Sequence, residues 1–526
     1  MLKESERQMS FYSMLYSKIP ENHLLKRIDS AVDFGFVNEL LEGSYCRNFG
    51  RPAKEPELML KLLLLQYLYN LSDVKVIEEA NVNLAFLWFL GLNPEDSLPD
   101  PSLLAKFRTQ RLKDITLDEV LTEIVRQAVE NGVIKSKDIC IDATHTEANC
   151  TKKVPERIMK HLAKKIFGAL VGSEGGIPEG IDTQIPDYKA IDDHKESKRV
   201  MKEYLEKLIR QTREKISSES RVNEVLNEAE DILSDEKFLL QKGLRSLTDP
   251  EARVGRKSKD EDFFGYKTEY AMTADERIIT AVDVYDGAHV DGKEAESLID
   301  RTEKAGVVVE AFLGDKAYFR KDILDMLERR GIADYIPVSA SVYKIDEELF
   351  SYNKDSDQWF CIRGNCTVGC KKGKTGNGRG DIYEVFKYKF KKDECLDCPY
   401  RDRCIGENKS KTAAKILTVT ASAPRYYEKN QRQKTEKFKE HYKKRAAQEW
   451  KNGEMKRFHG LARARGWGLK CFARQAKLTA IAVNLKRIAA LAGLLFPDFL
   501  NSPGRLTLFF SDFQSAQKFT PFLPKI

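Results

Sequence analysis

The chain has 526 residues, 42% hydrophobic and 32% charged, with 31 Gly and 17 Pro. That is several times a ~150-residue domain, so several folding units are expected, and a disulfide miniprotein, a fibre or a broadly disordered chain is excluded. The net charge of +7 is uneven: residues 426–487 hold 18 Lys or Arg against 5 Asp or Glu, a surplus of +13, and the remainder sums to −6.

In chain order, the polar first ten residues lack an apolar signal core. The run 58–71 is broken by Lys61, Gln66 and Asn70, and the run 488–496 stops at Pro497. Both fall short of the ~20 residues a bilayer needs, so no membrane partner and a cytoplasmic location are expected. Residues 1–115 read as helical. Leu58, Met59, Leu62, Leu65 and Leu68 fit a buried helix, with two short helices expected after it and Ser72 or Asp73 as an N-cap. A helix-turn-helix DNA reader and a plain helical bundle both fit this pattern.

Strand signals follow at 137–144 (KDICIDAT), 266–272 (YKTEYAM), 278–285 (IITAVDVY), 307–313 (VVVEAFL) and 334–338 (DYIPV). The TADE turn at 273–276 is short enough for a hairpin, and helical patterns at 293–304 and 319–330 each lead into a further strand. This alternation makes a mixed α/β sheet with parallel neighbours. Residues 151–262 contain no strand-like run and read as a long antiparallel helical insert.

Two acids stand where strands end: Asp142 after Ile139, Cys140 and Ile141, and Asp315 after Phe312, Leu313 and Gly314. Ligands of open α/β sheets gather at such ends, although an aspartate there is more often a cap or turn former. A third acid comes from the basic segment. Tyr442, Arg445, Glu449 and Lys456 lie at i, i+3, i+7 and i+14, within an arc of about 60° on a continuous helix. One carboxylate flanked by cations and a hydroxyl suits a helix that donates a metal ligand while gripping a phosphate backbone. An ordinary solvated helix face also fits. Trp450 beside it suits stacking on a base, or packing. The basic segment as a whole has the composition of a surface that neutralises phosphates and stacks on bases.

Cys361, Cys395, Cys398 and Cys404 enclose a Gly-rich segment between the second and third acids. The CxxC pair and four soft donors suit a structural Zn²⁺, with reduced, metal-free thiols as the alternative and Cys366 and Cys370 keeping the ligand set open. Cys46, Cys140, Cys150 and Cys471 read as buried small residues, and His145, three past Asp142, as a hydrogen-bonding neighbour of the site or a satisfied structural histidine.

The Tyr442, Arg445, Glu449, Lys456 spacing, IDATHTEAN around Asp142 and FLGDKAYF around Asp315 resemble the DDE-type transposases of bacterial insertion sequences, in the group with a Tyr-Arg-Glu-Lys signature. PDPSLLAKFR (99–108), TDPEAR (248–253), HGLARARG (459–466) and AVNLKR (482–487) extend the likeness over most of the chain. Gln448 departs from it, since relatives often carry an apolar residue there.

The resemblance implies an α/β, RNase H-like mixed sheet flanked by helices. It divides the chain into a helical DNA-binding unit (1–115), a catalytic domain in three pieces (130–150, 263–345 and 411–496), a helical insertion (151–262), a Cys-rich, zinc-binding insertion (346–410) and a C-terminal tail (497–526). It further implies that Asp142, Asp315 and Glu449 hold two Mg²⁺ or Mn²⁺ ions, with Asp142 bridging. Tyr442, Arg445 and Lys456 would grip the phosphates of the element ends, around a flipped base in relatives. The four cysteines would hold Zn²⁺. The partners implied are element-end and target DNA and a second copy of the chain in a homodimer associated with the nucleoid. A metal-dependent nuclease without strand transfer and a non-catalytic DNA-binding regulator are the rival readings.

Overall fold

The computed structural model describes residues 10–495 apart from 47–52, 113, 151–152, 218–220, 236–237, 239–244, 258–259, 377–381 and 407–413. The tail at 497–526 lies outside the described residues.

Short helices open the chain: α1 (Leu24–Ala31), α2 (Phe36–Glu42), α3 (Pro56–Leu68), α4 (Asp73–Val82), α5 (Leu84–Leu90), α6 (Ser102–Lys106) and the longer α7 (Asp114–Glu130). Pro56 starts α3 at a position where its missing N–H costs nothing, and nearly every residue of α3 is buried. The expected N-cap of α4 is Ser72, whose hydroxyl accepts from Lys75 N at 3.2 Å.

The central sheet is mixed. Its order is β2 (Arg253–Arg256), β3 (Asp262–Thr273), β1 (Asp138–Glu147), β5 (Ala311–Leu313) and β6 (Ala333–Tyr335), with β4 (Ile279–Asp286) also pairing β3. The five expected strands and the β3–β4 hairpin are all present. β2, within the stretch read as free of strands, is a departure: Arg-Val-Gly-Arg has a single β-branched residue and pairs only along the edge of β3.

Alternation along β1 separates two layers. Ile139 and Ile141 pack with Ala271 against α11 (Ala295–Lys304) and α12 (Lys321–Arg329). On the other face Tyr270 and Met272 of β3 join the core of the N-terminal helices and of the last helix, α18 (Leu469–Leu495). One hydrophobic core therefore runs from Leu25 through the sheet to Ile488.

Two further regions have cores of their own. α8 (Pro155–Glu174), α9 (His194–Arg213) and α10 (Val222–Ser234) close around Leu162, Leu205, Leu208 and Leu226. The hairpin β7 (Phe350–Asn353) and β8 (Gln358–Cys361) packs with β9 (Thr367–Gly376), β10 (Ile382–Phe390) and β11 (Ile416–Thr420) around Trp359 and Phe390. Two very short helices, α13 (Lys392–Leu396) and α14 (Arg401–Ile405), follow β10. No helix among the described residues is long and apolar enough to cross a membrane.

Candidate active site

β1 and β5 run parallel, with Cys140 opposite Leu313. Two residues further along each, Asp142 and Asp315 leave that pair side by side, on the face where Cys140 and Leu313 meet Tyr335, Phe438 and the half-buried Tyr442. Asp315 also does the work of a cap: its carboxylate accepts from Ala317 N at 2.8 Å and starts the turn Lys316–Tyr318. Asp142 is the more enclosed of the two. Burial pushes its carboxyl up to about 6; Arg445 opposes that shift and the charge of Asp315 adds to it.

The helix expected to carry Tyr442 through Lys456 without interruption is two helices, α16 (Glu436–Lys443) and α17 (Ala446–Phe458), after α15 (Ala423–Gln433). Between them the backbone tightens: Arg445 N bonds Tyr442 O at 3.0 Å, Ala447 N bonds Lys444 O at 3.1 Å and Gln448 N bonds Arg445 O at 2.9 Å. Such i to i+3 bonding breaks the α-helical ladder, so the helix that carries Glu449 no longer includes Tyr442. Its ring instead stacks on Phe438 at 6.0 Å.

The stripe that α17 does present is Arg445, Glu449, Asn452 and Lys456, within an arc of about 60°. Arg445 Nη2 stands 3.7 Å from Asp142 Oδ1, and Asn452 Nδ2 donates to Asp142 Oδ2 at 3.4 Å. Tyr270 of β3 fixes the same asparagine, donating to Asn452 Oδ1 at 2.8 Å. Lys456 Nζ lies 3.5 Å from both ring nitrogens of His145, with burial drawing the lysine down to about 8 and the histidine to about 4. His145 also packs on Phe263 at 5.0 Å.

Glu449 is exposed, one turn from each of the two α17 residues that touch Asp142. Its charge, with those of Asp142, Tyr442 and Asp315, holds the Arg445 guanidinium above its ordinary value, against the effect of burial. Arg445 is thus the cation on which all three acids act. The helix of Glu449 reaches Asp142 through Asn452, and Asp315 is near enough for its charge to act on Asp142. Among the described residues, no group of three or more His, Cys, Asp or Glu side chains is closed into a metal-holding cluster.

Three polar residues near this face escaped the sequence reading. Asn452 shares the α17 stripe, a signal that i+3 spacing from Glu449 carries. Glu269 and Tyr318 lie behind the sheet: Tyr318 donates to Glu269 Oε1 at 2.6 Å, as does Gly292 N at 2.8 Å. Burial pushes Glu269 up to about 7, and Asp291 and Asp283 add to the shift. Its signal was a lone acid in the buried face of YKTEYAM. Gln448 is fully buried, and neither end of its amide has a hydrogen-bond partner. Trp450 is no packing residue: it is 69% exposed, with the Arg277 guanidinium 4.9 Å from its ring.

Cys361, Cys395, Cys398 and Cys404 line one cavity of about 30 Å³, room for a single small guest. Burial raises the Cys404 thiol, and the other three sulfurs add to the shift, which Lys415 opposes. Cys366 and Cys370 do not line this cavity: Cys366 accepts from Gln358 Nε2 at 3.7 Å and Cys370 is exposed on β9.

Two family models match the chain. Residues 13–110 match a transposase domain (DUF772), and residues 364–489 match a transposase DDE domain. Together they support a DDE-type insertion-sequence transposase. The second match contains Cys395, Cys398, Cys404, all of α17 and most of α18, whereas Asp142, Asp315 and Cys361 fall outside both. No solved structure matches the chain.

Proposed function

We propose that the chain binds the ends of an insertion sequence, cleaves DNA by metal-dependent phosphodiester hydrolysis and joins the 3′ ends to target DNA by transesterification. The observation that supports this reading is that Asp142 of β1 and Asp315, just past β5, each lie two residues beyond the parallel pair Cys140–Leu313, with Asn452 of the helix that carries Glu449 donating to Asp142. Carboxylate oxygens are the donors that Mg²⁺ and Mn²⁺ prefer, and a buried carboxyl held near 6 beside a second acid is what a divalent cation would relieve.

Asp142, Asp315 and Glu449 would hold two such ions once Glu449 is brought in to the two aspartates. When bound, paired divalent ions supply activation of a water or 3′-hydroxyl and charge stabilisation at the leaving oxygen. The chain's own residues do the rest. Arg445 offsets part of the acids' charge in the absence of cation and turns to a backbone phosphate when DNA enters. Tyr442 and Lys456 take flanking phosphates at either end of the Glu449 face, and Asn452, steadied by Tyr270, orients the Asp142 carboxylate.

On this reading the sheet with α16–α18 is an RNase H-like catalytic domain assembled from 130–150, 263–345 and 411–496, joined to a helical DNA-binding unit (1–115) and a helical insertion (151–262). The four cysteines of the 346–410 module hold a structural Zn²⁺: four soft donors around an atom-sized cavity are its usual ligand set. Two copies act together, because two ends must be paired, and the protein works on the nucleoid in the cytoplasm.

Asp142→Asn tests the assignment. Cleavage of an element-end duplex in Mg²⁺ is expected to fall by at least ~10³-fold with DNA affinity unchanged; undiminished cleavage overturns the catalytic role. Supplying an end already cut to a 3′-hydroxyl separates transposition, which yields joined product, from a nuclease, which yields none.

A further inference from the structure

α17 has a second working face. Ala447, Trp450, Lys451 and Glu454 lie about 140–240° around the helix from Arg445, away from the acid stripe. With Lys486 and Arg487 of α18 and Arg277 of the β3–β4 turn they line a cavity of about 300 Å³. Glu454 is the one acid in its wall, and both lysines share it, Lys451 at 3.0 Å and Lys486 at 3.2 Å.

Among the described residues the arginines make no ion pair, although the charges of Glu454 and Glu276 act on Arg487. Asp275 of their turn pairs with Lys444 at 3.0 Å, and one Glu276 oxygen accepts from the N–H groups of Lys135 and Ser136 at 3.0 Å. Among the described residues Arg487 donates to the Glu276 carbonyl, at 2.7 Å, and Arg277 Nε is buried without a partner. Arg277 is held in a left-handed backbone (φ 62°) that side chains seldom adopt. Burial, and then the charge of Arg277, draws the Arg487 guanidinium down.

Two guanidiniums without an ion-pair contact among the described residues converge on an open cavity beside an exposed indole, and that arrangement suits a planar-forked contact with a phosphate. We propose that this cavity binds a backbone phosphate of a DNA segment other than the one held at the acid face, so that α17 lies between two stretches of DNA. Naming DNA as the partner rests on the transposase reading; the anion site stands on its own geometry.

The test is the salt dependence of binding of the full chain to a non-specific duplex. Arg277→Gly, which the left-handed backbone accommodates, and Arg487→Gln are each expected to lower the slope of log K against log salt by about 0.9, and together by about twice that. Arg487→Lys should restore its share. Unchanged slopes in variants that melt like the parent overturn the proposal, as does quenching of Trp450 fluorescence by inorganic phosphate with none by duplex. Asp142→Asn separates the two claims: retained cleavage defeats the transposase chemistry and leaves this slope experiment intact.

Discussion

The family-like segments fall into two regions with opposite electrostatic habits. In the frame, one polar residue of each motif is tied down within the chain. Arg108 of PDPSLLAKFR binds Asp73 and Gln66, clamping α3 to α4. Arg465 of HGLARARG donates to Asn70 at 2.8 Å and to Leu71 O at 3.2 Å, with its guanidinium 4.5 Å from the Tyr67 ring. Asp249 of TDPEAR accepts from Tyr266 and from Gly468 N, and Asn484 of AVNLKR exchanges two bonds with the backbone of Ile279 at 2.8 and 2.6 Å. At the acid face the contacts are long and the charges uncompensated: 3.4 and 3.7 Å at Asp142, and an exposed Glu449. A frame closes its polar groups on one another because an unmet buried one costs about 1–3 kcal/mol, whereas a site that must receive cations and phosphates leaves them open.

Three substitutions sharpen that contrast. Arg445→Gln should reduce strand cleavage by ~10²-fold or more, since a cation is lost from the phosphate path, while the melting temperature moves little. A large loss of stability without a catalytic defect would move Arg445 into the frame. Arg108→Ala does the reverse: it removes the cation bound to Asp73 and Gln66, leaving those two only their mutual hydrogen bond at 2.6 Å, and should cost about 2–4 kcal/mol in denaturant unfolding, with metal binding per folded molecule unaltered.

The smallest effect is expected at Glu269. Its folded carboxyl, at about 7, holds its proton more tightly than the ordinary 4.5, so stability falls as pH rises from about 4.5 through about 7. Glu269→Gln should flatten that decline, by on the order of 1–3 kcal/mol. A parent chain whose stability is level across this window would contradict the assignment.

Much of this was legible in the sequence. β-Branched runs ended by turn residues marked the five strands and the hairpin; Asp315 does follow the end of its strand, but β1 runs on to Glu147, so Asp142 sits within a strand and not at its end as expected. The α16–α17 break was not legible, because the stripe was projected at a constant ~100° per residue. The i to i+3 turn at Tyr442–Gln448 accompanies the packing of Tyr442 on Phe438, a tertiary contact with no local signature. Asn452 was passed over because a neutral amide carries no chemistry until a partner such as Asp142 lies against it. Arg277 and Arg487, 210 positions apart, meet only through the packing of the β3–β4 turn on α18.

The central claim is that Asp142, Asp315 and Glu449 close around divalent cations when DNA is bound. Anomalous scattering from Mn²⁺ in crystals of the chain with an element-end duplex tests it most directly. Two peaks ~3.5–4 Å apart, both touching the Asp142 carboxylate, with Asp315 on one side, Glu449 on the other and Arg445 displaced onto phosphate, are expected. Peaks that avoid Asp142, or an Arg445 still seated between the acids with DNA in place, would contradict it.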